Sequence, residues 1–244
     1  MNREKKYKTI FLWLIIFGIG MGILESVVVI YLRDINYPGG FEFPLKITRL
    51  KYYNIEIIRE FATIIMLVSI GFISGKNLLE KFCYFIFSFA IWDIFYYIGL
   101  KSLINWPPSL LTWDILFLIP VTWVGPVLAP VICSVVFIFF SVAIIILKEK
   151  GYIEKLNLIS WLLFISGSFI IFIIFIRDYS KIMIENGFLS HPGILMTDEK
   201  FISIISNYVP DYFNWYLFIC GELLIISPLI LIYIKEIKMN KINS

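Results

Sequence analysis

SLLTWDILFLIPVTWVGPVLAPVICSVVFIFFSVAIIIL, residues 109–147, is the stretch on which the fold turns. Its 39 residues contain one charge, Asp114, and a spanning helix needs only about 20. It is therefore too long for one crossing. Pro120, Pro126 and Pro130 divide it, because proline has no N–H and its ring clashes with the preceding turn. The division predicts a short half-helix over 109–119, re-entrant or interfacial because it is too short to cross, and then a span over 125–147. Pro107-Pro108-Ser109 suits the first turn of that half-helix. Its N-terminus would then offer an anion site.

Outward from this stretch, apolar runs of spanning length cover residues 9–32, 57–75, 82–100, 156–176 and 212–234. The expected fold is an all-α membrane protein of six transmembrane helices, one polytopic domain over residues 1–244, with the half-helix between the third and fourth spans. Composition agrees. The chain is 60% apolar and 16% charged, against about 25% charged in soluble domains, and its mean hydropathy is +0.88. These values exclude a disordered chain, a nucleic-acid-binding domain and an ordinary soluble enzyme. The N-terminal MNREKKYK precedes an apolar run longer than a signal-peptide core, so an uncleaved first span is expected. The three cysteines, Cys83, Cys133 and Cys220, lie in apolar runs without CxxC spacing, which indicates neither a disulfide framework nor a zinc site.

Lys and Arg in the loops set the expected orientation. With the N-terminus inside, the inner segments carry 12 and the outer ones nine. Both termini are thus expected on the cytoplasmic side of the cell membrane, although the first outer loop is itself basic (Arg33, Lys46, Arg49, Lys51). The outer segment 177–211 is the longest loop, and Phe188, Leu189, Phe201 and Ile204 suggest that it packs on the membrane surface or acts as a lid. Its His191, the one histidine, reads as a solvated loop residue.

A charge near the bilayer centre costs on the order of 3 kcal/mol, so such residues usually face the interior and often mark function. Glu25, Arg59, Glu60 and Asp93 fall in the outer half of the first three spans, Asp114 on the half-helix, and Glu222 near the middle of the sixth span. Helical spacing groups Gly18, Gly22, Glu25 and Ser26, then Glu56, Arg59, Glu60 and Thr63, then Asp93, Tyr97 and Lys101. Asp211 and Glu222 are expected to point one way. Glu25, Arg59, Glu60 and Asp93 are expected to form one polar cluster, with Asp114 above, Glu222 below, and Tyr96, Tyr97 and Trp106 lining its entry. Gly18 and Gly22 form a GxxxG that permits close helix approach. The repeated strings Trp92-Asp93-Ile94-Phe95 and Trp113-Asp114-Ile115-Leu116 hint faintly at duplication.

GILESVVVIYLR, REFATIIML, WDIFYYIGLK, WPPSLLTWDILFLIP and WVGPVLAP, between Gly18 and Pro130, together resemble a group of uncharacterised bacterial multi-span integral membrane proteins. The resemblance implies a bacterial inner-membrane protein and transfers no activity. Glu25, Arg33, Arg59, Glu60, Asp93 and Asp114 all lie within those strings.

The leading functional expectation is small-molecule or ion handling, transporter-like, through an outward-facing carboxylate/arginine cavity. The rivals are an intramembrane enzyme acting on a lipid or polyprenyl substrate at the outer leaflet, and a structural or assembly subunit whose ion pairs are glue. No catalytic motif decides between enzyme and non-enzyme. No cofactor is expected, although an oxygen-only site would suit Mg²⁺, Ca²⁺ or Mn²⁺. Membrane lipids are the expected partners, a homo-oligomer is allowed, and nucleic acid is not expected.

Overall fold

The computed structural model describes residues 3–37, 40–44, 50–188 and 198–242. His191, Leu189, Lys46 and Arg49 lie outside the described residues. The chain runs α1 (Arg3–Asn36), α2 (Leu50–Ser74), α3 (Leu78–Ile104), β1 (Trp113–Phe117), β2 (Trp123–Pro126), α4 (Leu128–Glu149), α5 (Leu158–Glu185), α6 (Glu199–Ile205) and α7 (Trp215–Ile242). Six of these helices are long and apolar enough to cross a membrane: Tyr7–Ile35, Tyr53–Ser74, Leu78–Ile104, Leu128–Glu149, Leu158–Glu185 and Trp215–Lys235. The fold is all-α and multi-pass, as its composition requires.

Helix α3 is the centre of the bundle. It packs against α1, α2 and α4, and it is by far the most buried span. Its N-terminus is defined by Asn77, whose side chain accepts the Glu80 N–H and so satisfies one of the helix's orphan donors. The GxxxG serves the α1–α3 contact. A Cβ on Gly22 would lie 2.6 Å from the Trp92 carbonyl oxygen, so the two backbones meet only because position 22 has no side chain. One turn on, the Ser26 hydroxyl lies 2.8 Å from the carbonyl oxygens of both Gly22 and Tyr96. Helices α5 and α7 form a second close pair, and α4 and the β-strands connect it to the first group.

At one end of the bundle the start of α1, the end of α2, the start of α3 and the end of α4 line a common groove of about 400 Å³. There Lys148 pairs with Glu80 at 3.1 Å. The opposite end holds the strands.

The half-helix expected over 109–119 is instead the first arm of an antiparallel β-hairpin. Trp113 pairs with Pro126, Asp114 with Gly125, Ile115 with Val124 and Phe117 with Trp123, with an irregularity between Ile115 and Phe117. A short apolar run does not reveal by periodicity alone whether it is helix or strand. Here Trp, Ile and Phe on the first arm and Trp and Val on the second suit a pleated surface. Pro120 stops the first arm from continuing as a helix. Gly125 and Pro126 belong to β2 rather than to the fourth span, and α4 starts at Leu128 with Pro130 in its first turn. The expected helix N-terminus at Pro107–Ser109 does not exist. Ser109 instead braces a turn, its hydroxyl accepting the Leu111 N–H at 3.1 Å.

The hairpin lies between two apolar layers. Leu116 and Trp123 pack into the main core beside Phe175, and a Cβ on Gly125 would press on Phe175 and Leu116 at 3.1–3.2 Å. Ile115, Val121 and Val124 pack on the other side against Tyr179, Met183, Phe188, Phe201 and Ile205. The segment expected as a 35-residue outer loop is thus partly helical. Helix α5 extends to Glu185, and α6 lies over the hairpin. Phe188 and Phe201 are buried there with rings 5.3 Å apart.

Candidate functional site

The membrane-depth charges gather in the hairpin half of the bundle, distributed over a line of separate partnerships. On α1 and α2, Arg59 pairs with Glu25 and with Glu56, three residues before it on its own helix. The next residue of α2, Glu60, is buried, and both of its carboxylate oxygens accept the Leu118 N–H, at 3.1 and 2.9 Å. Leu118 follows β1, so Glu60 satisfies a backbone donor at the hairpin turn. Non-helical backbone is tolerated at membrane depth only where it is buried in protein or lines a water-filled cavity.

The second partnership centres on Asp114, 1% exposed. Arg33, near the end of α1, donates from Nη2 to Asp114 Oδ1 at 2.9 Å. The Tyr97 hydroxyl donates to Oδ2 at 3.3 Å. The Arg33 guanidinium carbon lies 3.8 Å from the Trp106 ring centroid and 4.4 Å from that of Phe41, so aromatic rings supply the walls and cation–π attraction. Asp114 lies outside the six spanning helices. Burial, the largest influence, raises its pKa above the ordinary carboxylate value. The Arg33 guanidinium, the Ile115 N–H and the Tyr97 hydroxyl oppose that rise.

The third partnership joins α3, α4 and α7. Ser134 donates to Asp93 Oδ2 at 2.8 Å. The preceding residue, Cys133, has its thiol beside Glu222 and within electrostatic reach of Asp93. Both Glu222 oxygens are buried without a hydrogen bond of ordinary geometry among the described residues. The expectation that Glu222 lies below the other acids therefore changes. It enters α7 seven residues after Trp215 and reaches Cys133, next to the partner of Asp93, so it stands at their level. Asp211 does not share its helix, because α7 begins at Trp215.

Tyrosines link the groups. The Tyr96 hydroxyl is within electrostatic reach of Asp114, Arg33, Glu25 and Arg59, and that of Tyr97 within reach of Asp114 and Asp93. Their rings lie 4.8 Å apart. Trp106, expected at the entry, is buried and stacks on Arg33. Lys101 turns away to the backbone, donating to the Pro107 carbonyl at 3.0 Å.

No protein-family model matches the chain, and no curated protein or solved structure matches it. The chemistry of the site therefore carries the functional argument.

Arg33, Ser134 and Cys133 are the residues that sequence reasoning did not assign to the site. Arg33 counted as a loop charge, although it falls inside one of the strings that carry the resemblance. Ser134 and Cys133 carry no signal in an apolar run. Among the described residues, no group of three or more His, Cys, Asp or Glu side chains is arranged to hold a metal ion. Chemically, the arrangement offers two ion-paired arginines and three buried carboxylates, Glu60, Asp93 and Glu222, with no Lys or Arg at ion-pair distance among the described residues.

Proposed function

We propose that the protein is a transporter-like inner-membrane protein, with both termini cytoplasmic, that handles a small molecule or ion at this acid-rich site and moves protons through it. The observation that carries the reading is the trio of buried acids, none with a Lys or Arg at ion-pair distance among the described residues, Glu60 having Arg59 only within electrostatic reach. Asp93 has Ser134, Glu60 has a backbone N–H, and Glu222 has neither. An uncompensated buried carboxylate is costly unless a proton or cation occupies it, and intramembrane acids of this kind commonly belong to proton relays. The hydroxyl and thiol groups of Tyr97, Ser134 and Cys133 beside these acids are suitable proton-sharing neighbours. The Arg59 pairs have the opposite character. Their acids share the Arg59 guanidinium, and the Glu25 pair ties α1 to α2.

The test is proton movement by the purified protein in lipid vesicles that enclose a pH-reporting dye, driven by a potassium diffusion potential. Wild-type protein is expected to acidify the lumen faster than protein-free vesicles do. Asp93→Asn and Glu222→Gln, which preserve shape, are expected to return the rate to the protein-free level. Equal rates for wild type and both variants would refute the reading.

A further inference from the structure

Arg33 is 8% exposed, and its Nη1 is buried with no hydrogen-bond partner among the described residues. The reason is local. A guanidinium and a carboxylate ordinarily close on each other with two parallel hydrogen bonds. Here only Nη2 engages Asp114, through Oδ1, while the Tyr97 hydroxyl, 3.3 Å from Oδ2, steadies the carboxylate in an orientation that does not present Oδ2 to Nη1. The second amino group is left pointing at no acceptor. Trp106 and Phe41 cover the guanidinium and cannot accept from it as an oxygen would. A buried charged donor without an acceptor is costly, and native proteins rarely keep one without a use.

We propose that Arg33 Nη1 is the docking point for an oxyanion, a carboxylate or phosphate group, of the molecule that this protein handles. The inference rests on the transporter-like reading and names the class of its cargo. Arg33 would supply the charge-assisted donor, Trp106 and Phe41 the dry walls, and Tyr97 the constraint that keeps Asp114 from taking both amino groups. The acids without basic partners, Asp93 foremost through its proximity to Asp114, would hold the protons that accompany an anion into a low-dielectric site.

The experiment is calorimetric titration of the full chain in maltoside micelles, which carry no anionic group. Three separate probes are sodium succinate, sodium phosphate and phosphatidylglycerol; the first two represent a free oxyanion and the third a lipid headgroup. At least one is expected to bind saturably. Arg33→Gln is expected to weaken that binding about tenfold or more. Tyr97→Phe retains every charge and guards against a misfolded arginine variant. It is expected to weaken binding as well, because the Asp114 carboxylate is then free to turn Oδ2 onto Nη1. Absence of saturable binding in all three arms means that water alone meets Nη1 and overturns the proposal, as does unchanged affinity in either folded variant. A wild-type protein that carries protons but binds none of the probes overturns the oxyanion site alone. One that binds a probe but carries no protons overturns the preceding reading alone.

Discussion

Arg59 and Asp93 show how one membrane depth holds two kinds of buried charge. Arg59 stands between Glu25 and Glu56, so replacing it strands two carboxylates. Arg59 is half-buried, so the loss approaches the roughly 3 kcal/mol of breaking a buried pair from one side. Arg59→Gln should therefore lower the melting temperature in detergent substantially. Asp93 has no cation to lose. Asp93→Asn keeps an oxygen for the Ser134 hydroxyl, so its melting temperature should stay close to that of wild type. Equal destabilisation by the two substitutions would remove the distinction between paired and unpaired charges. The depth of these residues is legible from their distance to the helix ends. Their partners are not, because Arg33–Asp114 joins positions 81 residues apart, and sequence spacing carries no information across that distance.

At the scale of elements, one four-residue theme adopts two structures. Trp92-Asp93-Ile94-Phe95 is helical within α3, and Trp113-Asp114-Ile115-Leu116 begins a strand. The first has a capped helix on either side of it. The second has prolines at 107, 108 and 120 and a complementary arm at 123–126 to pair with. Local propensity does not separate them; the available partner does. This is why the spanning helices are readable from hydropathy and length while the hairpin is not. It is also why the apparent repeat gives no sign of duplication.

The hairpin placement makes a specific prediction. In a background lacking the three native cysteines, Ile115→Cys with Val124→Cys, directly opposite each other across the hairpin, should form a disulfide under mild oxidation, read as a mobility shift on a gel. A half-helix lying at the surface would leave the pair unlinked. The α1–α3 contact makes another. A leucine at position 22 has nowhere to go against the Trp92 backbone. Overpacking of this kind typically costs about 1–3 kcal/mol, so Gly22→Leu should lower the melting temperature, while leucine at Gly20, where an added Cβ meets nothing within 4 Å, should leave it unchanged.

Across the whole molecule the two ends differ in chemistry. One end carries the Glu80–Lys148 pair and the groove between α1, α2 and α3. The other is closed by the hairpin, the end of α5 and α6. In the proposed orientation, which rests on the positive-inside bias of 12 Lys and Arg against nine in the sequence, the first end faces the cytoplasm. Tags on both termini should accordingly be shielded from protease in intact cells and digested only after the membrane is opened. The apolar majority of the chain makes this architecture legible. The minority of charges needs the third dimension, because their meaning depends on which of them meet a cation.

Infrared spectroscopy of the protein in lipid bilayers, recorded from acidic to alkaline pH, tests most directly whether the unpaired acids form a working site. The account predicts a protonated-carboxyl band that titrates reversibly and loses intensity in Asp93→Asn and in Glu222→Gln. A band that ignores pH, or that is the same in wild type and both variants, would contradict it.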